Sequence, residues 1–226
     1  MGSKNKLKRF NENLTFPNVI QPDRKILESD SFIYKGKWKE NYFNNENDII
    51  LELGCGKGEY VISLAKENPN KNFIGIDIKG ARFWRGAKTA IEENISNVSF
   101  VRVKIEMILA IFSENEINEI WLTFPDPQIK HKRTKLRLIN PEFLEKYKFI
   151  LAPMGLVNLK TDSEFLYGYT LGLLENISCT IKHIHHDIYN NSNSPSRVIN
   201  IQTFYEKKFL KENKSIKYIQ FYWNEY

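Results

Sequence analysis

The chain has only two cysteines in 226 residues. Cys55 stands inside a glycine-rich stretch and Cys179 lies far along the chain. So few cysteines, so placed, do not suggest a disulfide framework or a metal site. Long apolar runs are also missing. None approaches the ~18 residues a membrane-spanning helix requires, so no membrane partnership is expected. The opening Met-Gly-Ser-Lys-Asn-Lys lacks the apolar core of a signal peptide, and Lys6 stands where myristoylation favours Ser or Thr. These absences lead to the expectation of a cytoplasmic protein. No internal repeat is present.

The composition is 42% hydrophobic, ample for the core of one domain of this length. The formal charge is +6 with a pI of about 9.1. This is weak evidence for a polyanionic partner, and the placement of the charges says more. Lys4, Lys6, Lys8 and Arg9 form a basic N-terminal tail, and Lys130, His131, Lys132, Arg133, Lys135 and Arg137 form a second cluster. Residues 1–45 are polar and turn-rich and read as an extended basic arm that orders when ligands bind; residues 46–226 read as the main folded domain. From residue 48, apolar strand candidates (48–53, 72–77, 98–103, 118–124, 154–160) alternate with amphipathic helix candidates (58–68, 80–94, 106–113, 141–151, 163–175). Alternation of this kind predicts an α/β fold with a mostly parallel, doubly wound sheet. Strands near 180–188 and 216–223 are expected to form an antiparallel edge hairpin around a loop and helix at 190–213, making seven strands.

The segment Asp48-Ile-Ile-Leu-Glu-Leu-Gly-Cys-Gly-Lys-Gly-Glu59, followed by Phe-Ile-Gly-Ile-Asp77, carries the most information. A strand enters a turn at Gly54, Gly56 and Gly58, a helix leaves it, and the next strand ends on an acid. That is the layout of a nucleotide-type site at the carboxyl edge of a parallel sheet. Asp77 stands where a carboxylate can accept from both hydroxyls of a ribose. A dinucleotide fingerprint requires glycine at 59, where this chain has Glu59, and no Gly-Lys-Ser/Thr follows to make a P-loop. The acid before the first glycine resembles the first motif of class I S-adenosylmethionine-dependent methyltransferases. The resemblance implies S-adenosylmethionine as cofactor, a Rossmann-like sheet, and Glu52, Gly54, Gly56 and Asp77 as its binding residues.

A second segment, Ile120-Trp-Leu-Thr-Phe-Pro-Asp-Pro127, ends a strand on two prolines that bracket Asp126. Proline fixes φ, so the turn holds its carboxylate stiffly. Phe-Pro-Asp-Pro-x-x-Lys followed by basic residues, Lys160-Thr161-Asp162, and Thr203-Phe-Tyr-Glu206 together resemble the bacterial tRNA (guanine-N7)-methyltransferase family over about residues 48–222. The resemblance implies 7-methylguanosine formation in the variable loop of tRNA (position 46), Asp126 between cofactor and base, and Lys130, Asp162, Thr203 and Glu206 as contacts to tRNA or its guanosine. Three departures stand out. Gln128-Ile129 replaces Trp-Pro and the basic run is altered. The adenine-side acid falls on Lys104 by ungapped spacing, with Glu106 able to serve after a two-residue shift or to be a helix N-terminal acid only.

Guanine N7 carries no proton, so the chemistry demands alignment rather than a base. Asp126 is expected to orient guanine through its N1–H and N2–H₂ edge and to stabilise the developing cation. His183, His185 and Asp187 would share one strand face, but no further ligand cluster supports a metal. Phe83, Trp84 and Arg85 read as core packing and surface charge. A methyltransferase acting on another nucleic-acid atom, and a non-catalytic RNA-binding protein of this fold, remain open readings. So do a monomer and a homodimer.

Overall fold

The central strands of this sheet (residues 49–53, 72–76 and 98–101) are buried on both faces. They read as unbroken apolar runs, and their alternate side chains feed two separate cores. In the computed structural model, which describes residues 3–224 and side chains from Asn5 onward, the chain opens with α1 (Ser3–Asn13), β1 (Val19–Ile20), α2 (Arg24–Glu28) and a π-helical turn (Trp38–Phe43). It continues with β2 (Ile49–Leu53), α3 (Glu59–Glu67), β3 (Asn72–Ile76), α4 (Gly80–Glu92), β4 (Val98–Val101), a 3-10 helix (Ile105–Ala110) and β5 (Ile117–Thr123). A second 3-10 helix (His131–Leu136) then precedes α5 (Pro141–Ile150), β6 (Leu151–Thr161), α6 (Glu164–Leu174), β7 (Cys179–His185), α7 (Ser196–Asn200), α8 (Phe204–Lys211) and β8 (Lys217–Trp223).

Among the described residues the sheet has eight strands, in the order β1-β4-β3-β2-β5-β6-β8-β7. β1 to β6 pair in parallel, and β8 runs antiparallel between β6 and β7. The strand order reverses between β3 and β5 on either side of β2, which places a ligand crevice at the carboxyl end of β2. On one face Ile49, Leu51, Ile74, Ile120 and Leu122 pack with α5 and α6; on the other Ile50, Phe73, Phe100 and Trp121 pack with α3, α4 and α7. Glu52 lies on the α3 face, two residues after Ile50, and this decides its partners below.

Two expectations are corrected. The sheet has eight strands rather than seven, because β1 pairs in parallel with β4 (Val19 opposite Phe100, Ile20 opposite Val101). Two residues are too few to show a period in sequence. The described part of the segment before residue 46, residues 3–45, is also folded onto the domain, not extended. The Asn13 side chain donates to the Gly80 carbonyl at 2.9 Å and Asn18 to that of Ala87 at 3.0 Å. Trp38 is fully buried and its Nε1 donates to the Ile111 carbonyl at 3.1 Å. The tail residues Lys6, Lys8 and Arg9 lie on helix α1, which packs against α4: Arg9 sits 4.6 Å above Trp84, whose Nε1 donates to Glu12 at 2.5 Å. The Lys4 side chain lies outside the described residues. Phe83 is fully buried and stacks on Phe100, as expected of core packing.

Candidate active site

The segments that leave the carboxyl ends of β2 to β6 meet around one cleft of about 960 Å³. Its walls include Glu52, Gly54, Gly56 and Asp77 from the glycine turn and the end of β3. Asp126 with its flanking prolines, Asp162, and Thr203 with Tyr205 complete it. The glycine bend and the proline-flanked carboxylate therefore open on the same side of the molecule.

The glycines divide the work of the turn. Gly54, Gly56 and Gly58 have φ of +74°, +56° and +75°, a region that only glycine enters at little cost. A Cβ on Gly58 would lie 2.6 Å from the Phe100 ring, so this glycine lets the turn pack down on β4 and α4. A Cβ on Gly54 or Gly56 would meet nothing closer than 3.6 Å, which leaves their faces open to the cleft.

Glu52 joins the two halves of the site. One carboxylate oxygen accepts from the Val61 N–H at 3.0 Å and the other from the Thr123 hydroxyl at 2.5 Å. Val61 belongs to the first turns of α3 and Thr123 ends β5, directly before Phe124-Pro-Asp-Pro. The side chain is buried, and burial is the main cause of a carboxyl pKa pushed up to about 7, against the opposing hydrogen bonds from Thr123 and Val61. Asp77 also serves its own loop. Its oxygens accept from the N–H groups of Gly56 at 3.1 Å and Lys79 at 2.8 Å. Each carboxylate oxygen has two lone pairs, so hydroxyl donors can still be accepted.

Asp126 is exposed, and one oxygen accepts from the Gln128 N–H at 3.1 Å. The turn is stiffer than two prolines alone would make it. Phe124 and Gln128, two residues to either side, both adopt left-handed backbone with φ of +49° and +45°. Such non-glycine conformations cost roughly 1–2 kcal/mol each and persist where the surroundings enforce them. Arg137 supplies part of that enforcement. It is buried, donates to the carbonyls of Gln128 at 3.1 Å and Ile129 at 3.3 Å, and lies 4.5 Å from the Tyr169 ring. By sequence Arg137 belongs to the basic cluster of residues 130–137; the structure makes it a brace for the proline turn. Lys130, His131, Lys132, Arg133 and Lys135 are exposed as expected, and Lys130 stands outside the lining of the cleft.

Thr203-x-x-Glu206 is first a helix start. The Thr203 hydroxyl accepts from the Glu206 N–H at 3.2 Å, the capping arrangement for α8. Thr203 lines the cleft, but Glu206 does not reach it. Glu206 is fully buried, 2.7 Å from the Lys160 ammonium, and accepts from the Tyr189 hydroxyl at 2.7 Å. Lys160 also donates to the carbonyls of Val198 at 2.6 Å and Ile201 at 3.0 Å. Burial pushes Lys160 down and Glu206 up, and their mutual attraction opposes both shifts. With all three ammonium hydrogens accepted by oxygen, the charged pair is the form this geometry fits. It fastens α7 and α8 to β6. The expectation of Glu206 as a direct substrate contact is thus replaced by a structural role. Asp162 does line the cleft, 3.6 Å from the Lys214 ammonium.

Sequence reasoning missed Glu59. This residue, where a dinucleotide fingerprint has glycine, accepts from the Phe204 N–H at 2.8 Å and so ties the glycine turn to the start of α8. Lys57 reinforces the tie from 4.1 Å above the Phe204 ring. Partners 145 residues apart leave no local signal. Glu106 is exposed on the first turn of the 3-10 helix, next to Ile105, which lines the cleft. Lys104 borders a neighbouring cavity of about 540 Å³ with Arg102, Met107 and Gln21, and Ile78 is common to both cavities. Among the described residues no three His, Cys, Asp or Glu side chains come together to hold a metal. His185 meets Asn191 at 2.8 Å and His186 meets Glu164 at 2.8 Å.

Comparison with known proteins agrees with this geometry. A family model described as "Putative methyltransferase" matches residues 46–219. The tRNA (guanine-N(7)-)-methyltransferase of Christiangramia forsetii is 61% identical over 221 residues, covering 98% of this chain and 99% of that protein. The protein of the same name from Porphyromonas gingivalis is 44% identical over 92% of this chain and 85% of its own length. Among solved structures, the 16S rRNA methyltransferase KamB superposes with a TM-score of 0.60 at 12% identity, over 82% of this chain and 90% of that one. An A1408 methyltransferase of the 30S ribosome from an uncultured bacterium superposes at 0.57 and 20% identity, over 80% and 90%. These two likenesses concern the fold. Together with the glycine turn and Asp126 on one cleft, the relatives' identity over nearly the whole length places this chain in the tRNA (guanine-N7-)-methyltransferase family.

Proposed function

We propose that the protein transfers a methyl group from S-adenosylmethionine to N7 of a guanosine in tRNA, the variable-loop guanosine at position 46. The observation that carries this reading is the Glu52 bridge, which holds the cofactor turn and the Asp126 turn side by side on one cleft. The residues suit this cofactor. Gly54 and Gly56 leave open backbone, Asp77 has lone pairs that could accept ribose hydroxyls, and a positive sulfonium held beside Glu52 would favour the ionised form of its carboxyl. When bound, S-adenosylmethionine supplies an electrophilic methyl group on sulfur.

The rest falls to the chain's own side chains. N7 presents a lone pair in the plane of the base, so no residue has to remove a proton, and placement is the catalytic task. Asp126 is exposed in the cleft on a braced turn. It accepts from the N1–H and N2–H₂ edge of guanine and faces the positive charge the ring acquires. Thr203 and Asp162 border the same space. A stacked guanosine hides N7 from in-line approach, so the nucleotide leaves its stack to enter. Lys130, Lys132, Arg133 and Lys135, exposed next to the Asp126 turn, hold flanking phosphates without reading sequence. The site of action is the cytoplasm. Among the described residues no helix is long and apolar enough to cross a membrane.

Incubation of unmodified tRNA with methyl-labelled cofactor, followed by reduction and aniline cleavage, tests both atom and position. Label in tRNA with cleavage at guanosine 46 is expected. Label without cleavage would move the reaction to another atom, and no label would leave the fold without this activity.

A further inference from the structure

Two large aromatic side chains stand exposed on the first turn of α8: Phe204 (56%) and Tyr205 (49%). Lone exposed aromatics are common and call for no explanation, but these two differ in what they face. Phe204 is covered by Lys57 and does not line the cleft; Tyr205 does. Behind Tyr205 runs a row of rings. Its ring centroid is 6.4 Å from that of Phe209 at 28°, and Phe209 is 5.7 Å from Phe124, the residue that opens the Phe-Pro-Asp-Pro turn. Phe124 and Phe209 also line the cleft. The aromatic wall thus leads from the rim to within two residues of Asp126.

The turn that carries Tyr205 is fixed. Thr203 caps it, Glu59 holds the Phe204 N–H, and the buried Lys160–Glu206 pair anchors its next residue. An apolar ring kept half in water on a pinned helix start is a preorganised platform, since little side-chain freedom remains to be lost on binding.

Resting on the proposed methyl transfer, we infer that Tyr205 is the surface on which the target guanine stacks while Asp126 holds its edge. The chemistry gives this platform more than a binding role. The base becomes cationic as N7 forms its new bond, and an aromatic face attracts a cation through its quadrupole. The attraction is greater for the methylated, positive ring than for neutral guanine, so part of it is felt only as the reaction proceeds.

The test compares Tyr205→Phe and Tyr205→Leu with the wild-type full chain on unmodified tRNA at saturating cofactor. Cofactor affinity is measured by calorimetry and folding by thermal midpoint. Tyr205→Phe keeps the ring and is expected within about twofold of wild-type kcat. Tyr205→Leu keeps apolar bulk without the ring and is expected to lower kcat about tenfold with cofactor affinity unchanged. A Leu variant with wild-type turnover would overturn the platform. So would a Phe variant as slow as the Leu variant, because the hydroxyl would then be the active group. A wild-type protein that binds no cofactor or methylates no tRNA instead removes the reading on which the platform rests.

Discussion

The bridge that Glu52 makes between α3 and β5 predicts a pH dependence of stability that one substitution abolishes. Burial raises the Glu52 carboxyl from its ordinary 4.5 to about 7. The folded protein therefore holds this proton more tightly than the unfolded chain does. The contribution is fully present below about pH 4.5, is lost as pH rises to about 7, and is flat beyond that. Each unit of difference is worth about 1.4 kcal/mol, so the whole window amounts to about 3 kcal/mol, and the part between pH ~5.5 and pH ~8 to about 2 kcal/mol. Glu52→Gln removes the titration and preserves the bridge. Its amide oxygen can accept from Val61 N–H while its NH₂ donates to the Thr123 hydroxyl, which is able to accept. Glu116 and Glu206 also have raised values and give slopes of the same sign, but they are common to both proteins and cancel in the difference. Urea unfolding of both proteins at those two pH values reads the effect. Wild type should lose about 2 kcal/mol more than Glu52→Gln on going to the higher pH. Equal losses would mean that Glu52 is ionised in the fold like an ordinary carboxyl, and the argument from its burial would fail.

Three further outcomes follow from the same geometry. A cationic cofactor held beside Glu52, as proposed, would draw off its proton, so calorimetric affinity should rise with pH up to about 7 in wild type and stay flat in Glu52→Gln. Lys160→Met leaves the Glu206 carboxylate buried without its cation. It should cost about 3–5 kcal/mol in denaturant unfolding, and Lys160→Met with Glu206→Gln should recover only part of this, because the Val198 and Ile201 carbonyls still lack a donor. Replacing Lys132 and Arg133 together by Ala should reduce the slope of log tRNA affinity against log salt by about 1–2, measured by filter binding, with little effect on cofactor affinity.

The central alternation was readable because apolar strand runs and amphipathic helices differ in period, and β2 to β6 fall within a few residues of their expected places. The glycine turn was readable because its glycines and Asp77 are local in sequence and obey backbone rules. What escaped depends on contacts between distant residues. β1 is too short to carry a pattern, and Trp38 gives no sign that its indole will reach Ile111. Arg137 looks like its exposed basic neighbours, yet the aromatic faces of Phe165 and Tyr169 draw it inward. Glu206 shows the same limit. The Thr-x-x-Glu spacing announces a helix cap, but a lysine 46 positions earlier decides that the acid is buried. Phe124 and Gln128 are not residues one would choose for left-handed backbone, so their strain appears only in the structure.

The division of labour across the cleft, cofactor on the glycine bend and base on the proline-flanked acid, is tested most directly by Asp126→Ala. Asp126 is exposed and its side chain makes one hydrogen bond, to the neighbouring Gln128 N–H, so its loss leaves the core intact. Single-turnover methylation of tRNA should slow by about a hundredfold or more, while S-adenosylmethionine binds within about twofold of its wild-type affinity. Near-normal turnover, or cofactor binding lost in step with turnover, would contradict the account.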